Sequence, residues 1–420
     1  MGSVKLSNDS PARAFRPTIF IVLVLCSLGT ARPGTAQETR GSAELPSGWI
    51  ELVDRFETYV AANRVVGGSA LALRAGEIVV RHDYGLADLE AGTAVGDRTI
   101  FHWGSITKTL TAIAIMQLRD RGLLSLDDPV TRWVPEIRQI HDPYGAIDDI
   151  TIEMLLTHSS GLQNPTWPWT EGRDWEPFEP TTWNQLVAMM PYQELLFRPG
   201  ERYSYSNPGF IYLARIIEAI TGDAWQAYIQ KNLFSPLGLS RSYFGVTPYW
   251  LAPDRSHNYD IVSGPSGEAE LVDNGADFDP GVTIPNGGWN APISELAAYA
   301  AFLTKREAHS PEMQRRFDAV LDRATLQEMW APRVPVLEDR GTGRTESMAL
   351  SFFVMKDGEH SVIGHTGSQA GFRAFFYFQP LKQTAVILVF NTANQAAGEE
   401  ARGAFEGMMR AAYAVADPQN

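Results

Sequence analysis

The chain has 420 residues, 44% of them hydrophobic and 20% charged, with a formal net charge of −14 and a single cysteine. This is ordinary globular composition with room for a large core. The acidic balance argues against nucleic acid or an anionic membrane surface as partner.

Residues 1–36 read as an export signal. Lys5, Arg13 and Arg16 form a basic start, Ile19 to Leu25 is an apolar run, and Gly34-Thr35-Ala36 offers small residues for cleavage before Gln37. Two alternatives are an uncleaved anchor and lipid attachment at Cys26. The apolar run falls short of the roughly 20 residues a bilayer span needs, and Leu25 is bulky where a small residue is wanted. Cleavage after Ala36 would leave neither a disulfide nor a thiol nucleophile. It would place the protein in a bacterial periplasm or outside the cell.

Residues 37–47 read as a polar linker and 416–420 as a tail. Ile50 to Ala62 carries apolar residues at helical spacing. Ser69–Arg74 and Glu77–His82 read as a hairpin turning at Ala75-Gly76. Leu110 to Leu118 reads as a buried helix stopped at Gly122. From about 125 to 345 the pattern is mostly helix and loop: Thr151 caps a helix start, and Gly209 to Ile220 is amphipathic. Residues 163–185, with Trp167, Trp169, Trp175 and Trp183, and residues 251–290 lack a clear period. Loops of that length are usually functional covers or disordered. The tryptophans either wall an acyl pocket or pack on the helical region. Strands return at Ser361–Thr366, Arg373–Gln379 and Thr384–Asn391, and a helix closes the chain over Ala397–Val415. The predicted fold is α+β, an α/β-type sandwich. Both chain ends build one antiparallel sheet flanked by helices, and a mostly helical region is inserted after the second strand.

Three short motifs carry chemistry. Ser105 and Lys108 are three apart, so on a helix they share a face. Gly104 permits a sharp entry, and the first helical turn favours developing negative charge. The serine needs a base, and Lys108 can serve once burial lowers its pKa. Tyr205 can relay protons between Ser105 and a leaving group, provided Lys108 depresses its pKa. Asn207 can accept from Lys108 and donate to a substrate carbonyl. His365-Thr366-Gly367 ends a strand. His365 is a proton carrier or a carboxylate-binding donor, Gly367 leaves the strand edge open, and the N–H groups of Ser368 and Ser105 can form an oxyanion hole. Each motif alone reads as a chance match or a turn. The histidines show no metal-ligand spacing, His158 reads as structural, and neither metal nor cofactor is implied. No Gly-x-Ser-x-Gly elbow occurs.

Taken together, Ser105-Ile106-Thr107-Lys108, Tyr205-Ser206-Asn207 and His365-Thr366-Gly367 resemble the motifs of the serine beta-lactamase and DD-peptidase superfamily. Gly85 to Leu89, Leu155 to Leu162, Phe197 to Gly200 and Pro236 to Leu239 extend the likeness to its class C beta-lactamase-like branch, over roughly 48–415. The resemblance implies a beta-lactamase/transpeptidase-like fold and a serine hydrolase domain over 48–415, with its helical insertion at about 125–345. Its substrate would be a small molecule or peptide with an ester or amide bond. It implies Ser105 as acylated nucleophile, Lys108 as its amine partner, Tyr205 as general base and Asn207 as substrate-amide ligand. His365 stands where beta-lactamases usually carry lysine, which is more like DD-carboxypeptidases and several esterases. Met348 to Phe352 departs from the Gly-rich strand entry of many relatives. A true beta-lactamase, or a non-catalytic penicillin-recognising or scaffold protein, are the alternatives. Oligomeric state is not encoded in these motifs.

Overall fold

The structure, a computed structural model, describes residues 45–165, 180–264, 267–304, 311–338, 341 and 343–419. The export-signal reading, most of the linker, and Trp167, Trp169 and Trp175 lie outside these residues. Among the described residues no helix is long and apolar enough to cross a membrane.

Helix α1 (Trp49–Ala62) buries Leu52, Phe56 and Val60. Strands β1 (Gly67–Arg74) and β2 (Glu77–Asp88) then form the expected hairpin, with β3 (Thr93–Ala94) at its edge. The turn at Ala75-Gly76 has positive φ at both residues, 52° and 79°, the geometry of a tight hairpin that matches strand twist. Helix α2 (Thr107–Asp120) follows, then α3 (Pro208–Thr221), α4 (Ile293–Thr304) and the closing α5 (Glu399–Ala416). Between α4 and α5 run β4 (Val334–Leu337), β5 (Arg344–Met348), β6 (Phe353–Asp357), β7 (His360–Gln369), β8 (Phe372–Gln379) and β9 (Thr384–Phe390).

The nine strands lie in the order β3-β2-β1-β9-β8-β7-β6-β5-β4, and every pairing between them is antiparallel. The two chain ends meet where β1 pairs with β9, in register from Gly68 opposite Phe390 to Arg74 opposite Thr384. In β9, Val386, Leu388 and Phe390 pack towards α1 and α5, whereas Ala385, Ile387 and Val389 face the core built on α2, α3 and α4. Covering both faces explains why this strand reads as an unbroken apolar run rather than an alternating one.

The inserted region is less purely helical than its sequence pattern suggests. Residues 334–348 supply the edge strand β4 and its neighbour β5. Within 251–290, Tyr259–Ser263 and Ala269–Asp273 form a hairpin that pairs with Thr392–Asn394. Helix α3 begins at Pro208, with Gly209 next and both buried, so a proline in its first turn opens the helix expected from Gly209 to Ile220.

Candidate active site

A 3₁₀ turn, Gly104–Ile106, leads into α2 and carries Ser105 at the N-terminal end of that helix. Strand β7 runs beside the turn. Its pairing with β6 ends at Gly364 opposite Phe353, while its pairing with β8 continues to Gln369. From His365 onward one edge of β7 therefore has no neighbouring strand, and the Ser105 turn occupies the gap. The two backbones touch. A Cβ on Gly367 would lie 1.9 Å from Trp103 O, and one on Gly104, whose φ is 51°, would lie 2.8 Å from Ser368 N. Only glycine allows this approach, which brings the peptide units of Ser105 and Ser368 to the same end of the cleft.

Nearly all of α2 is buried, and Lys108 is fully so. Its Nζ lies 2.9 Å from Ser105 Oγ, 2.9 Å from Asn207 Oδ1 and 2.8 Å from the carbonyl oxygen of Asn286. Burial holds the amine well below the usual lysine range. A neutral amine has two hydrogens and one lone pair. Asn207 Oδ1 and Asn286 O can only accept, so they take the hydrogens and the lone pair is left for the hydroxyl of Ser105.

Tyr205 sits over this group, its ring centroid 5.0 Å from Lys108 Nζ. The depressed phenol pKa anticipated from sequence is not found. Burial raises it above the usual tyrosine range, and the hydrogen bond with Ser105 opposes this only in part. Desolvation penalises the phenolate more than that one hydrogen bond supports it. Asn207 accepts from Lys108 as anticipated, while its amide nitrogen reaches Asn164 Oδ1 at 3.2 Å.

His365 is buried and its ring lies 6.4 Å from that of Tyr205. Its Nδ1 is 2.6 Å from the carbonyl oxygen of Thr366, so Nδ1 carries the proton and Nε2, without a partner, is an acceptor. Burial pushes its pKa down to about 3, with the charge that Lys108 carries when protonated adding to the effect. Thr366 points to the opposite, exposed side of the strand.

Three contributors carried no usable signal. Asn286 offers a main-chain carbonyl, Asn164 steadies Asn207, and His158 braces Tyr205. The last is buried with φ 54°. Its carbonyl accepts from Ser204 N at 2.7 Å, its Nδ1 accepts from Ser206 N at 3.0 Å, and its ring stacks on Tyr205 at 4.1 Å. Trp183, the one described tryptophan of its loop, packs against Tyr212 and Arg215 on the helical region. No group of three or more potential metal ligands occurs among the described residues.

A family profile described as Beta-lactamase matches residues 52–407. The chain belongs to the beta-lactamase family. Among curated members, esterase EstB of Burkholderia gladioli is 35% identical over 199 residues, 44% of this chain and 48% of EstB. Penicillin-binding protein 4* of Bacillus subtilis (strain 168) is 30% identical over 206 residues, 49% of this chain and 43% of that protein. These matches thus span less than half the length of either relative. Among solved structures, the octameric penicillin-binding protein homologue from Pyrococcus abyssi superimposes with a TM-score of 0.68 at 26% identity, covering 88% of this chain and 79% of the other. The beta-lactamase family fold anticipated from the motifs is the fold observed.

Proposed function

We propose that this member of the beta-lactamase family is an exported serine hydrolase that cleaves an ester or amide through an acyl-enzyme on Ser105. The observation that carries this reading is the buried Lys108 amine, whose two acceptors leave its lone pair for the Ser105 hydroxyl. Lys108 takes the proton as Ser105 Oγ bonds to the substrate carbonyl carbon. The oxygen of that carbonyl gains negative charge between the N–H groups of Ser105 and Ser368, at the positive end of α2. The bond to the leaving group then breaks as the proton taken up by Lys108 is delivered by way of the Tyr205 hydroxyl to the departing atom. Water attacks the acyl carbon, gives a proton to the same base, and releases the acid and free Ser105. Asn207 holds Lys108 in place, and Gly367, with no side chain, lets the Ser105 turn pack against β7.

With Lys108 and His365 both neutral, the site offers an anionic beta-lactam no cation from either residue. This favours an esterase or an uncharged-amide hydrolase over a true beta-lactamase. Sequence similarity to a named esterase points the same way. The basic and apolar start of the chain supports a periplasmic or secreted location.

The test is turnover of a nitrophenyl ester, nitrocefin and a D-Ala-D-Ala peptide by the parent and Ser105→Ala. The ester is expected to be cleaved fastest, and Ser105→Ala to reduce that turnover on the order of 10⁴-fold or more. Retention of ester hydrolysis in Ser105→Ala removes Ser105 as the nucleophile.

A further inference from the structure

The two N–H groups assigned to the oxyanion come from separate elements. Ser105 follows the strand Ile100–His102, which pairs with Trp289–Pro292, whereas Ser368 lies on β7, which pairs with β6 and β8. Gly104 and Gly367 let the two backbones touch. Such a contact fixes how close the elements lie, but not how far one is offset along the other. Among the described residues a single hydrogen bond joins the segment 100–106 to β7: His102 Nε2 stands 3.1 Å from Gln369 Oε1. His102 is three residues before Ser105, and Gln369 is next to Ser368.

The His102 ring is buried and held on its other sides. Its Nδ1 lies 2.9 Å from Asn290 Oδ1, the Gly287 backbone adds a hydrogen bond, and the rings of Phe278 and Phe372 pack at 4.8 and 5.9 Å. Burial, with the Arg255 charge adding, lowers its pKa to about 4, so the ring is neutral near pH 7. A neutral ring has one N–H, so it donates to one of the two side-chain amides and accepts from the other. Gln369 in turn presses on the segment that serves Lys108. A Cβ on Gly287 would lie 2.5 Å from Gln369 Oε1, and Gly287 follows Asn286, whose carbonyl accepts from Lys108.

We propose that His102 and Gln369 are positioning residues of the oxyanion hole, their hydrogen bond setting the offset between the N–H of Ser105 and the N–H of Ser368. The assignment rests on the reading of Ser105 as nucleophile. Two donors stabilise one developing oxyanion fully only where both point at the same oxygen. Loosening the offset therefore takes stabilisation from the transition state and leaves binding of the uncharged ester nearly as it was.

The test compares a nitrophenyl ester with its thiono analogue, in which sulfur replaces the carbonyl oxygen. Sulfur is larger and a weaker acceptor, so an aligned pair of donors favours the oxygen ester. Gln369→Met keeps the length of the side chain and removes the bond. His102→Phe removes it from the other end and keeps a ring between Phe278 and Phe372. Each is expected to cut the oxygen-to-sulfur ratio of kcat/KM about tenfold, short of the roughly 10²- to 10³-fold cost of losing a donor outright, with kcat falling and KM little changed. The double variant is expected to go no lower, because both changes cut one bond. Gln369 is only half-buried, so Gln369→Met carries the test by itself if His102→Phe does not fold. A ratio unchanged in Gln369→Met, a loss confined to KM, or losses that multiply in the double variant overturns the proposal. Survival of oxygen-ester hydrolysis in Ser105→Ala, or a parent ratio near one, overturns the catalytic reading on which it rests, so the two failures are distinct.

Discussion

His158 grips Tyr205 from three directions: its carbonyl holds the N–H of Ser204, its Nδ1 holds the N–H of Ser206, and its ring lies on the phenol ring at 4.1 Å. The residue between those two amides has little freedom left. A lone histidine without a spaced partner therefore fixes the orientation of the phenol that contacts Ser105.

Replacing His158 separates these contacts. Asparagine tolerates the left-handed backbone at φ 54° better than most residues and removes the stacked ring. His158→Asn is expected to remain folded and to lose roughly 10- to 100-fold in kcat with little change in KM, because a small displacement of a catalytic group is enough for such a loss. Steady-state kinetics on a nitrophenyl ester, beside thermal melting, check it. A loss confined to melting temperature would reduce His158 to a scaffold.

The charge states give a pH–rate profile with a defined sign. Lys108 acts as a base only when unprotonated, so kcat/KM is lost as pH falls through its pKa, which burial places well below the usual lysine range. Tyr205 is needed protonated and its pKa is raised, so no loss from phenol ionisation is expected up to about pH 10, its unperturbed value. The profile should rise from acid and stay level through mildly alkaline pH. A rate still climbing beyond pH 10 would mean an ordinary lysine, and a fall near pH 8 would mean an acidic phenol.

Buried neutral histidines set a separate dependence for stability. Burial pushes His102 down to about 4, His365 to about 3, and His158 well below its usual range. In the unfolded chain each takes a proton near pH 6.5. Between that value and the folded values the unfolded state binds more protons, so stability rises with pH and is lost on acidification. Each histidine is expected to contribute a slope of about 1.4 kcal/mol per pH unit in that window. Denaturant midpoints from pH 7 to pH 4 measure it. His102→Gln should flatten the slope by about one proton, and an unaltered slope would exclude His102.

Much of the fold was legible where burial leaves a periodic or continuous trace. Helix α1 keeps its buried residues at helical spacing, and β1 and β9 are buried almost throughout because both their faces are covered. The edge strand β4 and its neighbour β5 left no such trace. Both are short and half exposed, one contains Pro335, and their pairing slips between Glu346 and Ser347. In the site, Ser105, Lys108, Tyr205 and Asn207 were readable as side chains with chemistry at fixed spacing. Asn286 was not, because it contributes a backbone carbonyl from 178 positions away, and any residue type has one. The raised Tyr205 pKa was also hidden, since depth of burial is a property of the assembled cleft.

The seam between β1 and β9 governs how this molecule can be made. Gly67 N–H donates to Asn391 Oδ1 at 2.7 Å across 324 positions of chain, so the middle of the sheet stays open until almost the last strand has emerged from the ribosome. Loop closure of that length is slow and leaves strand edges bare meanwhile. Refolding should therefore be limited by this late joining of the termini, and truncation just before β9 should yield an aggregating chain rather than a weakened enzyme.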